Sequence, residues 1–239
     1  MGLFDWFQSR PVCPVDAATR DWIDQRWGWL EDQFGIERVR RAPVVLPRAE
    51  FFPDAFDGTT ESIRRMLDRM CGYMELDPGS IELSLFREEH STFVGLYHPE
   101  GDKFRIWIEA RNLPDPLSMA ATMAHELGHV HLLGHGRISA DAEDHEPLTD
   151  LLTVYFGLGA LTANAVIREY HDYSRWAIRR EGYFTMPMFG YALARFALTR
   201  GEDGAKWSRE LRPDVRSAFK QSLRFLLSET VGDMRNRTR

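Results

Sequence analysis

The sequence predicts an α+β chain in which helices precede and follow a small antiparallel sheet. Three observations predict it: apolar residues recur at helical spacing before residue 75, alternate with period two between 81 and 109, and return to helical spacing after 115. The 239 residues, 44% hydrophobic and 28% charged, suffice for one domain with a large core and exclude a disordered or fibrous chain. That single domain, 1–239, reads as an N-terminal helix and extended wrap (1–60), a helix, sheet and central helix (61–135), and a mainly helical remainder (136–239).

In chain order, Asp16 opens and Gly35 closes a helix over 16–34 that carries Trp22, Trp27, Trp29, Leu30 and Phe34. Pro43, Pro47 and Pro53 forbid a regular helix from Pro43 to Gly58 and leave an extended segment. Ile63, Met66, Leu67, Met70, Cys71 and Met74 then form one apolar stripe behind a Thr59 or Thr60 cap, so Cys71 reads as packing and not as a nucleophile. Strands are expected at Ile81–Phe86, Thr92–Tyr97 and Phe104–Glu109, the last two joined as a hairpin through His98–Asp102. Asp115 caps a helix that starts at Pro116 and runs to Gly134, its expected C′ residue. A polar loop leads to a helix from about Pro147, and further helices are expected near 187–200 and 213–229.

Composition also narrows function. With 30 basic and 36 acidic residues, a net charge of −6 disfavours binding nucleic acid through phosphate neutralisation. Cys13 and Cys71 are too far apart to build a disulfide framework or a cysteine zinc ribbon, and Met1–Phe7 reads as neither an export nor a myristoylation signal. A cytoplasmic location is expected. The uncharged run Leu151–Ile167 reaches the lower length limit for a membrane span, but Thr153, Gly157, Gly159, Thr162 and Asn164 mark it as a buried core helix.

Within the Pro116–Gly134 helix lies His125-Glu126-Leu127-Gly128-His129. At about 100° per residue, a spacing of four turns the chain by about 400°, so both imidazoles leave one face within about 40° of each other. One metal ion can lie between them. With eight histidines in the chain, such a pentapeptide is expected by chance only about 0.02 times. Glu126 is rotated about 100° from His125, beside the metal and not on it, where a carboxylate can accept a proton from water. With the cysteines excluded, a zinc site here must use His and carboxylate, the ligand set of an open, hydrolytic metal.

Catalytic zinc takes three protein ligands, so a third is required downstream. His131, His135, Glu143, His145, Glu146 and Asp150 are candidates. His131 is about 200° from the metal face. His135 falls six residues after His129, as in HExxHxxGxxH, yet residue 132 is Leu where that pattern needs Gly, and a continuing helix turns His135 away. The pentapeptide together with Glu146-Pro147-Leu148-Thr149-Asp150 resembles the gluzincin group of HExxH zinc metallopeptidases, over about 70 residues from the hairpin through the helix after Asp150. The resemblance implies a zincin-like fold, with the sheet packed on the active-site helix. It also implies Zn2+ held by His125, His129 and Glu146, Glu126 as general base, and Asp150 as the outer partner of the His125 ring. One departure is Pro147, which disfavours the α conformation at Glu146, makes Glu146 an N-cap residue and leaves its i to i+4 relation to Asp150 approximate.

The expected activity is hydrolysis of a bond in a peptide or protein substrate by a zinc-activated water. Such folds often draw an oxyanion donor from a later His or Tyr, for which His171, Tyr173, Tyr183 and Tyr191 are available. They also pair an edge strand with the substrate, a role open to Arg105–Ala110, with Arg111 and Asn112 beside the cleft. The reading from another class is a zinc-binding regulatory or interaction protein whose motif is retained but silent or gated.

Overall fold

The computed structural model describes residues 11–86, 95–100, 103–110, 113–165 and 183–237. Helix α1 (Ala17–Phe34) begins where the Asp16 carboxylate accepts the Thr19 N–H at 2.9 Å, and it stops at Gly35, whose φ of 78° suits glycine. A short helix the sequence did not separate, α2 (Ile36–Arg41), follows at once. The proline-rich run after it is free of regular helix, as expected, and is tied down by the Val45 N–H donating to the Gly157 carbonyl at 2.9 Å. A β-carbon at residue 157 would lie 2.0 Å from the Pro43 carbonyl oxygen, so only glycine admits this crossing.

Helix α3 (Thr60–Met74) is capped by Thr59 and buries all six predicted stripe residues. Burial pushes the Cys71 thiol up to about 12, in keeping with a packing role. The sheet that follows contains β1 (Ile81–Phe86), β2 (Gly95–Glu100) and β3 (Lys103–Glu109) in the order β1-β3-β2. The expected hairpin is present as the antiparallel pair β2 and β3, although β2 takes up His98–Glu100 and leaves a shorter turn. The strand expected from Thr92 lies partly outside the described residues. The sheet as a whole is mixed and not antiparallel, because β1 runs parallel to β3. The register has a visible cause: Glu82 sits opposite Arg105 and pairs with both Arg105, at 3.0 Å, and Lys103, at 3.1 Å, while Ile106 and Ile108 of β3 enter the core.

Helix α4 (Pro116–His129) starts at Asp115, which accepts the Leu117 N–H at 3.1 Å, and continues as one π-helical turn over Val130–Gly134. The left-handed residue that ends it is Gly136, with φ 64°, and not Gly134. Helix α5 (His145–Tyr155) begins two residues before Pro147. Proline is then the third residue of the helix, where an N–H has no intrahelical partner to lose, so Glu146 is helical and not a cap.

The apolar run Leu151–Ile167 is not one helix. Gly157, with φ 87°, breaks it into α5 and α6 (Gly159–Ala165), both deeply buried. Helices α7 (Met186–Thr199) and α8 (Pro213–Arg237) pack closely at Gly190, where an added β-carbon would meet Ala218 Cβ at 2.5 Å. Helix α1 holds this half together: Trp22 and Arg26 bind the Asp144 carboxylate before α5, and Asp24 accepts the Tyr191 hydroxyl of α7 at 3.0 Å. The fold is mostly helical with one small sheet, and no helix among the described residues is long and apolar enough to cross a membrane.

Candidate metal centre

The last turn of α4 and the first turn of α5 face each other, and their closeness begins with Gly128. A β-carbon there would lie 2.7 Å from Thr149 Cγ2, so the glycine inside the pentapeptide lets α5 approach. Glu146 thereby reaches the histidine pair: its Oε2 lies 3.0 Å from His125 Nε2 and 3.4 Å from His129 Nε2. The three ligand atoms lie within 4.8 Å of one another and could hold a metal ion.

The outer nitrogens of both rings are already engaged. Asp150 Oδ1 lies 2.9 Å from His125 Nδ1, and a carboxylate only accepts, so that nitrogen carries the proton. The Thr149 hydroxyl donates to the His145 carbonyl at 2.8 Å, which leaves its oxygen to accept from His129 Nδ1–H at 3.2 Å. Each imidazole therefore turns a lone pair, on Nε2, toward the Glu146 oxygen. Three converging acceptors repel unless a cation lies among them, so this donor set fits a divalent metal. Without one, a proton takes that place. Burial opposes charge on His125, but its hydrogen bonds with Asp150 and Glu146 outweigh burial and hold its pKa well above the ordinary value. Burial would likewise raise Glu146, yet its hydrogen bonds with His125 and His129 keep it far below the usual carboxylate range.

Glu126 is 3% exposed, and its Oε2 is buried without a hydrogen-bond partner. Burial pushes its carboxyl up to about 7, the range in which a carboxylate can both take and return a proton near neutral pH. The second oxygen of Asp150 accepts the backbone N–H groups of Tyr183, at 2.6 Å, and Phe184, at 2.8 Å. This anchors the Tyr183 backbone at the site, with the residue 55% exposed; partial burial and the carboxylates of Glu146, Asp150 and Glu126 push its phenol up.

The structure thus gathers His125, Glu126, His129, Glu146 and Asp150, keeps His145 and Tyr183 beside them, and separates His131, His135, Glu143 and Tyr191 from them. His131 is a core residue, 5% exposed, whose Nε2 is 2.6 Å from the Met74 carbonyl and whose ring packs on Phe156. His135 meets Arg137 and Phe104, Glu143 is exposed, and Tyr191 is committed to Asp24. His171, Tyr173, Arg111 and Asn112 lie outside the described residues. β3 is the central strand, paired on both sides, so it offers no edge to a peptide; β2 is an outer strand and pairs only with β3 among the described residues. Sequence reasoning missed Thr149 and the packing role of Gly128. A glycine inside a helix costs about 1 kcal/mol, so its presence was the available signal of a close crossing. Compared with protein-family models, curated proteins and solved structures, the chain matches none of them.

Proposed function

We propose that this chain is a zinc-dependent metallopeptidase of gluzincin-like, zincin-fold build. The observation that carries the reading is the convergence of two imidazole lone pairs and one carboxylate oxygen beside a buried, unpartnered Glu126 carboxylate. His125, His129 and Glu146 would hold the ion, with Asp150 and Thr149 fixing the two rings. Bound zinc supplies Lewis acidity, activating a water and polarising the scissile carbonyl. Glu126 takes the proton of the attacking water and returns it to the leaving amine, and its burial favours both transfers at neutral pH. Tyr183, anchored by Asp150 through its backbone and largely exposed, would donate its hydroxyl to the developing oxyanion. An extended peptide would add to the outer strand β2, next to α4, by main-chain hydrogen bonds.

The test is peptide cleavage by the zinc-loaded protein and by Glu126→Gln, which removes the base and keeps the shape. The variant should bind zinc as the wild type does and lose at least about a thousandfold in turnover. Undiminished cleavage by Glu126→Gln contradicts the mechanism. Zinc binding by the wild type without cleavage across a broad peptide library returns the chain to the regulatory or interaction reading.

A further inference from the structure

Two of the three metal-facing side chains have a dedicated outer partner, Asp150 for His125 and Thr149 for His129. The third, Glu146, is divided. Its Oε2 faces the two imidazoles, while its Oε1 lies 3.7 Å from Nδ1 of His145, the residue just before it. That Nδ1 is buried and has no hydrogen-bond partner, although the ring is partly exposed and sits 5.8 Å from the His129 ring. A buried polar atom left without a partner is unfavourable, and a movement of about 0.8 Å would bring this nitrogen to hydrogen-bond length of Oε1.

Resting on the metal-centre reading above, we infer that His145 is a positioning residue for the third ligand. Its Nδ1–H donates to Glu146 Oε1 when Oε2 is drawn onto a cation. Two consequences follow from chemistry. An oxygen that accepts an N–H is a poorer metal ligand, so the carboxylate binds through Oε2 alone and a coordination position stays open for water. The carboxylate is also held in one rotamer, as Asp150 and Thr149 hold the rings. His145, Thr149 and Asp150 all lie on α5, so a single helix carries the third ligand and a support for each of the three. His145 contributes to this set twice, because its carbonyl also accepts the Thr149 hydroxyl that holds His129.

Cobalt(II) in place of zinc reports coordination through its visible absorption, independently of turnover. The full chain, His145→Ala and His145→Asn would be titrated with Co2+, with thermal melts as a check on folding. Asn can present an N–H close to where Nδ1 stands, so it should keep the wild-type spectrum and bind within about twofold. His145→Ala should bind roughly tenfold to a hundredfold more weakly, with a weaker visible band as the freed Oε1 joins the metal. An unchanged spectrum and affinity in His145→Ala overturns the inference and leaves the metal centre standing. A spectrum altered equally in the Asn and Ala variants also overturns it, since the N–H would then not be what matters. A wild-type chain that takes up no cobalt or zinc contradicts the metal-centre reading itself.

Discussion

Helices α4 and α5 contribute to the same site in different ways, and the contrast shows what kind of information each segment carries. α4 presents His125 and His129 by helical periodicity alone, so its role follows from five consecutive residues. α5 adds only Glu146 to the three converging side chains, yet it also supplies Asp150, Thr149 and His145, which lie against His125, His129 and Glu146 in turn. Periodicity places a side chain on a face, but what that face meets is set by packing between helices. The histidine face of α4 therefore meets Glu146 only because Gly128 lets α5 and its Thr149 come close.

Removing the ligand that α5 supplies breaks this partnership most severely. Glu146→Ala should lower zinc affinity by at least about a thousandfold by calorimetric or chelator competition, whereas Asp150→Ala, which leaves all three ligands in place, should lower it by tenfold to a hundredfold. Equal losses in the two variants would mean that α5 acts only as a scaffold.

The next effect separates the metal face of α4 from the turn that extends it. Burial pushes His131 down to about 4, so it is neutral in the fold, while the unfolded chain takes up a proton below about 6.5. The folded pKa is depressed, so its contribution to stability is full above pH 6.5 and is lost as pH falls toward 4, by about 3 kcal/mol. Urea denaturation at pH 7 and pH 4.5 should show this loss in the wild type and a reduced one in His131→Leu. An equal loss in both places the acid sensitivity elsewhere.

The smallest expected effect sharpens the contact itself. Gly128→Ala puts a methyl 2.7 Å from Thr149 Cγ2, and relieving that clash should cost about 1–2 kcal/mol in thermal unfolding. Zinc affinity should fall with it, because Thr149 carries the His129 ring. Normal affinity with lowered stability would show that the two helices need not be this close to bind metal.

Local signals in the sequence foretold local structure well. Asp16, Thr59 and Asp115 each accept a backbone N–H at a helix start, and the Ile63 to Met74 stripe is buried as spaced. Where partners are distant in sequence, prediction failed. Nothing in Ile81–Phe86 says that it will run parallel to β3, since its partners Lys103 and Arg105 lie about 20 residues further along the chain. Pro147 misled because its penalty depends on its position in the helix, and the helix begins earlier than it suggested. Leu151–Ile167 looked continuous, but Gly157 turns the chain with φ 87°, and the Pro43 carbonyl that packs against it leaves room for no other residue. At the site, the three residues that converge, His125, His129 and Glu146, were readable, and two of the side chains beside them were not. Thr149 and His145 carry no pattern of their own and gain a role only from the α4–α5 contact.

Elemental analysis of the purified chain, after zinc loading and removal of the excess, decides whether α4 and α5 together form a zinc centre. The wild type and Glu126→Gln should hold one zinc per chain, and His125→Ala and Glu146→Ala none. A wild-type chain with no bound zinc, or a Glu146→Ala chain that still holds a full equivalent, would contradict such a centre.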